Sequence, residues 1–118
     1  MRDEEHRLQS ACVRWFRYQF PALAHSLFAV PNGGRRDAAT GARLKDEGVL
    51  AGVSDLVLLQ RRGGYGAMLI EMKTSSGRQA QTQRQWQRKV EADGYRYVVC
   101  RSIDDFTREV KAYLNNKV

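Results

Sequence analysis

The sequence predicts an α/β protein in which a mixed β-sheet is flanked by helices. Apolar residues at helical spacing alternate along the chain with short β-like apolar runs. Two of those runs are joined by Arg61-Arg62-Gly63-Gly64, a hairpin signal. A hairpin followed by a strand-helix-strand crossover gives one sheet with antiparallel and parallel neighbours and helices on both faces. The 118 residues suffice for a single domain, 1–118, but not for two.

The first half of the chain predicts a helix, a strand and a second helix. Apolar residues at helical spacing indicate a helix over 3–20, which Pro21 ends. Two elements follow: the strand "SLFAV" (Ser26–Val30), and a helix over about 37–47 with Gly48 as its C-terminal cap.

The second half predicts three strands and two helices. The runs "SDLVLLQ" (54–60) and "YGAMLIEMK" (65–73) form the hairpin, and "YRYVVC" (95–100) forms the last strand. A helical repeat carries Gln79, Gln83, Trp86 and Val90 and ends at Asp93-Gly94. A final helix begins at about Asp104, with Ser102 or Asp104 as its cap.

The charge balance indicates a polyanionic partner. Twenty Lys and Arg against 13 Asp and Glu give a net charge of +7 and a pI near 9.8. Nucleic acid is the commonest partner of such a surface, although basic charge also serves solubility alone. The N-terminus lacks a signal peptide and no apolar run could span a bilayer, so we expect a cytoplasmic protein with no membrane partner. We also expect no organic cofactor.

Neither the cysteines nor the tryptophans indicate a binding site. Cys12 and Cys100 lie in apolar surroundings without metal-ligand spacing, and we expect small buried hydrophobes. Trp15 and Trp86 lie on the inner stripes of their helices, which favours the core over a base-stacking role.

Three charged residues, Asp55, Glu71 and Lys73, interrupt the apolar hairpin. If the hairpin turns about Gly63, Asp55 lies directly opposite Glu71, with Cβ atoms about 4.5–5.5 Å apart. Lys73 points to the same face as Glu71 because side chains alternate along a strand. A register slip of one residue would break this alignment. The alternative is a surface ion pair between Glu71 and Lys73, with Asp55 capping a turn.

Opposed carboxylates repel, and one of them takes up a proton unless a cation lies between them. A divalent metal supplies that cation, and oxygen ligands suit Mg²⁺ or Mn²⁺. Such an ion polarises a phosphodiester and acidifies a bound water. We therefore expect Asp55 and Glu71 to hold the metal, with the Met72 carbonyl as a candidate further ligand. Lys73 would orient the water or stabilise charge on the phosphate.

The motifs of this chain resemble a known nuclease family. Ser54-Asp55 and Glu71–Lys73 ("EMK"), on a helix-strand-strand-helix-strand core, resemble the PD-(D/E)xK nuclease superfamily. More specifically, "VPNGGRR", "LKDEGVLAGVSDLVLL", "LIEMK" and "GRQAQTQRQW" together resemble the VRR-NUC (virus-type replication-repair nuclease) domain. The resemblance covers about Glu5 to Ile103. It implies a restriction-endonuclease-like fold with an αβββαβ-type core.

The resemblance also assigns roles to individual residues. It makes Asp55 and Glu71 metal ligands and Lys73 the lysine of the ExK motif. Glu5, four residues before Gln9, matches a glutamate of the first helix, and Gln83 matches a glutamine of the helix after ExK. Periodicity alone cannot choose between Glu4 and Glu5 because the two flank opposite sides of the apolar stripe. Ser54 stands where the superfamily motif has proline, and Gln79-Ala80 where relatives often have Leu-Ser.

Basic and Gly-rich segments are candidate DNA contacts. The loop Asn32-Gly33-Gly34-Arg35-Arg36 can offer backbone N–H groups and two guanidinium groups to phosphates. Arg78 is a further candidate. The hairpin tip Arg61-Arg62 and the basic residues Arg84, Arg88 and Lys89 are weaker ones.

The resemblance implies a Mg²⁺- or Mn²⁺-dependent endodeoxyribonuclease. Stand-alone members of the family are viral or bacterial homodimers similar to junction resolvases. We therefore expect a homodimer that cuts branched DNA at four-way (Holliday) junctions during DNA repair, in a bacterium or a phage-infected host cell. Two alternatives stay open: a flap- or duplex-directed repair or restriction nuclease, and a basic nucleic-acid-binding module without turnover.

Overall fold

The structure, a computed structural model, describes residues 2–31 and 37–118 and has the predicted α/β architecture. Its elements in chain order are α1 (Arg2–Gln19), a 3₁₀ helix (Pro21–Ser26), β1 (Leu27–Ala29), α2 (Ala38–Asp46), β2 (Leu56–Leu58), β3 (Met68–Met72), α3 (Gln81–Ala92), β4 (Arg96–Cys100) and α4 (Ile103–Leu114). Every predicted element is present within a few residues, although the two hairpin strands are shorter than the apolar runs that predicted them.

The sheet is mixed, with strand order β1-β2-β3-β4. The first two pairings are antiparallel, whereas β3 and β4 are parallel because α3 connects them across one face. In the hairpin Leu56 pairs with Ile70 and Val57 with Leu69. This is the register predicted from a turn about Gly63, and its next step places Asp55 opposite Glu71.

The chain between β2 and β3 reverses direction in a tight turn at Arg62–Tyr65. The backbone N–H of Arg62 donates to the Tyr65 carbonyl at 3.2 Å, and the N–H of Tyr65 donates back at 2.9 Å. Gly63 lies at φ 57°, a left-handed conformation that favours glycine. The turn pairing of Arg62 with Tyr65 is one residue out of step with the pairing of β2 and β3, so this turn alone does not set the register at the far end of the hairpin.

The core lies between the sheet and the helices α1 and α4. Alternate strand residues such as Leu56 and Ile70 are fully buried there with Phe16, Phe106 and Tyr113. Each such side chain contributes about 1.5–3 kcal/mol by leaving water. The cysteines belong to the same core, as predicted: both are free, and burial raises the pKa of each thiol to about 12.

The opposite face of the sheet packs against α3. The Trp86 ring meets the Tyr97 ring edge-on, with centroids 6.1 Å apart. On the other side Trp15 meets Phe106 edge-on at 6.0 Å. Both tryptophans therefore pack against core aromatics, as predicted.

Two helix starts differ from or refine the sequence prediction. Helix α3 begins at Gln81, so Gln79 precedes the helix and does not lie on its repeat. Helix α4 begins at Ile103, and Ser102 is its cap, because the Ser102 hydroxyl accepts a hydrogen bond from the Asp105 N–H at 3.0 Å. Within residues 2–31 and 37–118, no helix combines the length and the apolar character needed to cross a membrane.

Candidate active site

The predicted pair of carboxylates meets at the open end of the hairpin. Asp55 directly precedes β2, and Glu71 is the fourth residue of β3. The Val30 N–H donates to the Asp55 carbonyl at 2.9 Å, so the backbone ladder holds Asp55 in place. Asp55 Oδ2 accepts a hydrogen bond from the Met72 N–H at 2.7 Å. By strand alternation both carboxylates face α3.

Glu71 is a fully buried carboxylate whose two oxygens have different environments. Oε1 accepts hydrogen bonds from the Tyr97 hydroxyl and from Gln79 Nε2, the latter at 3.0 Å. Oε2 is equally buried but has no hydrogen-bond partner among the described residues. Lys73 Nζ lies 3.5 Å from Oε2 as an ion pair. One oxygen is therefore fixed by neutral donors, and the other faces positive charge.

Asp55 is a partly buried carboxyl group with two other carboxylates nearby. Burial, and to a smaller extent the charges of Glu71 and Glu5, raise the pKa of Asp55 above its ordinary value. The hydrogen bond from the Met72 N–H and the charge of Lys73 act in the opposite direction and lower this pKa, but the net shift is upward. Burial and the hydrogen bond to Glu71 raise the pKa of the Tyr97 phenol, so Tyr97 remains a donor. The cluster holds more carboxylate than ammonium charge, which favours a bound cation.

A cleft of about 300 Å³ lies beside Asp55 and Lys73. Its lining residues are Ala51, Gly52, Val53, Asp55, Lys73, Ala80, Thr82 and Gln83. Gly52, at φ 89°, makes the wall of this cleft possible, because a Cβ there would come 2.6 Å from the Thr82 carbonyl oxygen. At this glycine the backbone therefore comes into close contact with the first turn of α3.

Gln83 and Glu5 lie near the site in different ways. Gln83 lines the cleft, and its Oε1 accepts a hydrogen bond from the Ala80 N–H at 2.7 Å, which caps α3. Glu5, on α1, is close enough for its charge to act on Asp55. Glu4 instead lines a separate cleft with Arg7 and Arg101. Among the described residues no three His, Cys, Asp or Glu side chains gather as a preformed metal cage, so a ligand role for Glu5 stays a prediction.

Two residues at the site, Tyr97 and Gln79, were not predicted from the sequence. Both donate to Glu71 Oε1, and Gln79 also donates to Gln87 Oε1 at 2.7 Å. The sequence signal for Tyr97 is a polar tip in an otherwise apolar strand. That signal becomes specific only once the β3–β4 register, which pairs Glu71 with Val99, is known.

Comparison with known proteins identifies the family. The family model of the VRR-NUC domain matches residues 3–104. The chain belongs to the VRR-NUC domain family. This membership implies a nuclease-type function and a nucleic-acid partner, as predicted. A search of curated proteins finds no match.

A solved structure of a VRR-NUC domain protein has the same fold as this chain. The two superpose with a TM-score of 0.83, over 94% of this chain and 88% of the other. Their sequences are 24% identical, so this likeness concerns the fold alone. It confirms the α/β sheet flanked by helices and leaves the activity to the residues of this chain.

The basic residues proposed to contact DNA have different positions in this VRR-NUC domain. The loop Asn32-Gly33-Gly34-Arg35-Arg36 lies outside the described residues. Arg78 is exposed, just before α3. The guanidinium of Arg84 donates to the Gln79 carbonyl, and that of Arg62 donates to the Leu114 carbonyl. Both of these arginines therefore have internal structural contacts, and Arg62 lies at the end of the hairpin away from Asp55.

Proposed function

We propose that this VRR-NUC domain is a Mg²⁺- or Mn²⁺-dependent endodeoxyribonuclease. The observation that carries the proposal is Glu71 Oε2, a buried carboxylate oxygen to which no described residue donates a hydrogen bond. An ionised carboxylate that leaves water without compensation costs several kcal/mol, and an ion pair at 3.5 Å compensates only part of that. A site that keeps such an atom next to a second carboxylate is suited to a cation.

The donor set fits a hard divalent ion. Asp55 and Glu71 provide oxygen ligands, and the Met72 carbonyl and Glu5 are the proposed additional ones. Mg²⁺ needs few protein ligands because it retains several waters. When bound, such an ion would polarise the phosphodiester and make a bound water more acidic.

The other residues of the site would bind and orient the reactants. The Tyr97 hydroxyl and the Gln79 amide hold Glu71 Oε1, which leaves Oε2 free to serve as a ligand. Lys73 Nζ can stabilise negative charge on the attacked phosphate or orient the attacking water. Gln83 lines the cleft beside it, where a scissile phosphate would lie.

The substrate we propose is branched DNA, cut at four-way junctions by a homodimer. A two-fold symmetric pair of sites matches the two equivalent strands of such a junction. The net charge of +7 supports binding to a dense polyanion. Flap- or duplex-directed cutting is the other candidate within the same chemistry.

Cleavage of end-labelled DNA tests the proposal. A four-way junction, a 5′ flap, a duplex and a single strand are each incubated with Mg²⁺, Mn²⁺ or EDTA. Wild type should nick the junction symmetrically with metal and not in EDTA. Asp55→Asn should lose at least a hundredfold in rate while still binding DNA. Asp104→Asn, which removes a carboxylate at the start of α4, serves as control.

Three results would change the proposal. Cutting of flaps or duplex alone would retain the nuclease and discard the junction preference. Cleavage by Asp55→Asn at the wild-type rate would remove the proposed site. Tight DNA binding without cutting under any condition would favour a binding module instead.

A further inference from the structure

Helix α1 carries a sharp division of charge. Its first turn is acidic, with Asp3, Glu4 and Glu5, whereas the stretch from Arg7 to Gln19 contains no acidic residue. Arg7, Arg14 and Tyr18 share one face because their spacing of seven and eleven residues corresponds to about two and three turns. Arg17 adjoins that face. We call these four residues the α1 stripe.

The α1 stripe is exposed and its charges are uncompensated. All three arginines are exposed, and in the part of the chain that the structure describes none of their guanidinium groups has a salt-bridge partner. By contrast, the exposed Arg108 on α4 pairs with Asp105 at 3.1 Å. Tyr18 is 87% exposed, more than any other large hydrophobic residue of the described chain. An exposed aromatic ring among arginines is the combination that nucleic-acid-binding surfaces use, because the ring can stack on a base while the guanidinium groups contact phosphates.

The position of the α1 stripe relates it to the candidate active site. Glu5, in the acidic first turn of α1, is close enough to the site for its charge to raise the pKa of Asp55. Arg7 lines a cleft of about 330 Å³ with Glu4, with Thr74 and Ser75 of the loop that directly follows Lys73, and with Arg101 after β4. From there the stripe runs outward along α1 for about 16 Å, the rise of roughly five base pairs.

We infer that the α1 stripe is a DNA-binding surface that holds the strand leading away from the active site. Arg7, Arg14 and Arg17 contact successive phosphates, and the Tyr18 ring stacks on an unpaired base at a branch or end of the substrate. The inference rests on the proposed DNA substrate, and charge complementarity favours this occupant. A second copy of this chain carries the same net charge of +7 and is therefore a poorer electrostatic match for the three arginines of the stripe than DNA is.

Salt-dependent binding in EDTA tests the stripe without requiring turnover. Affinities for a 20-base-pair duplex and for a single strand are measured by fluorescence anisotropy over a range of KCl concentrations. Arg14→Ala/Arg17→Ala should weaken duplex binding at least tenfold and lower the slope of log K against log salt by about 2. Arg108→Ala/Lys117→Ala changes the net charge equally, at one position on α4 and one in the segment after it, and should leave affinity and slope near wild type.

Tyr18 provides the second part of the test. Tyr18→Ala should weaken single-strand binding about tenfold and duplex binding much less, because loss of one stacked base costs on the order of a factor of ten. Tyr18→Phe keeps the ring and should bind like wild type. Thermal unfolding of each variant should match wild type, since all these side chains are exposed.

Several outcomes would overturn the inference. The stripe variants and the control variants could show equal DNA affinities and salt slopes, or the wild-type protein could fail to bind DNA. A stripe variant could also change the oligomeric state in sedimentation while its DNA affinity stays the same. Stripe-dependent binding by a protein that never cuts DNA would leave the stripe standing and remove the proposed nuclease activity. The two proposals therefore fail separately.

Discussion

Glu71 shows at the level of one residue how a fold retains a buried charge. Its two carboxylate oxygens have different neighbours. Tyr97 and Gln79 donate hydrogen bonds to Oε1, whereas Oε2 lies 3.5 Å from Lys73 Nζ and accepts no hydrogen bond from any residue that the structure describes. Replacing such a residue by an apolar one of similar size would often stabilise a fold. The arrangement is therefore better explained by function than by stability.

Tyr97 should act as a positioning residue for Glu71. Tyr97→Phe removes one of two donors to Oε1, so the carboxylate becomes less restrained and less well oriented towards a cation. We expect about tenfold weaker Mn²⁺ binding by calorimetry, the lower end of what outer-shell partners contribute. Stability without metal should fall by about 1 kcal/mol. Tyr95→Phe, on the same chain segment but partly exposed, is the control; equal metal affinity in both variants would refute the role.

The raised pKa of Asp55 predicts a dependence of stability on pH. Because the folded state binds this proton more tightly than the unfolded state, the stabilisation is complete below the ordinary pKa of an aspartate, about 3.9. It is lost as pH rises through the raised folded pKa. In EDTA, Asp55→Asn should thus be more stable than wild type near pH 7, by about 0.5–2 kcal/mol.

Urea unfolding in EDTA at a series of pH values measures this difference. Asn can still accept the Met72 N–H, so the variant removes the charge and keeps the hydrogen bond. The difference in the free energy of unfolding between Asp55→Asn and wild type should increase as pH rises from about 4 and then stay constant. A wild type that is more stable than Asp55→Asn at neutral pH would contradict the account.

At the level of elements, local sequence signals predicted what local contacts determine. The hairpin follows from the glycine turn at Gly63, and the end of α3 at Asp93 and the cap of α4 at Ser102 follow from residues next to them in the chain. The register between β3 and β4 does not, because α3 separates those strands in sequence. For that reason the contact between Tyr97 and Glu71 could not be predicted from the sequence, although β3 and β4 themselves were predicted.

The contact between the loop before β2 and the start of α3 depends on Gly52. Gly52→Ala would introduce both left-handed strain, at φ 89°, and a Cβ 2.6 Å from the Thr82 carbonyl oxygen. We expect a loss of about 1–3 kcal/mol in the free energy of unfolding. Gly48→Ala has similar strain, at φ 104°, with no atom within 4 Å of the added Cβ. Equal melting temperatures for the two variants would show that the close approach at Gly52 is not required.

At the level of the whole molecule, the sequence predicted the sheet, the helices that flank it and the pair of opposed carboxylates. Those features depend on periodicity and on one turn. The surroundings of the site depend on contacts between distant segments, as when Arg101 donates to the Thr74 carbonyl and shapes the loop after β3. Net charge indicated a polyanionic partner, but only the structure showed that Arg7, Arg14 and Arg17 are exposed and form no salt bridge within residues 2–31 and 37–118.

The central claim is that a divalent cation binds between Asp55 and Glu71, and a Mn²⁺ titration followed by electron paramagnetic resonance tests it most directly. Wild type, Asp55→Asn and the control Asp104→Asn are titrated without DNA, so the result is independent of cleavage. Wild type and the control should bind Mn²⁺ alike, and Asp55→Asn at least tenfold more weakly because it loses a charged ligand. Equal binding by all three proteins, or none by wild type, would contradict the proposed metal site.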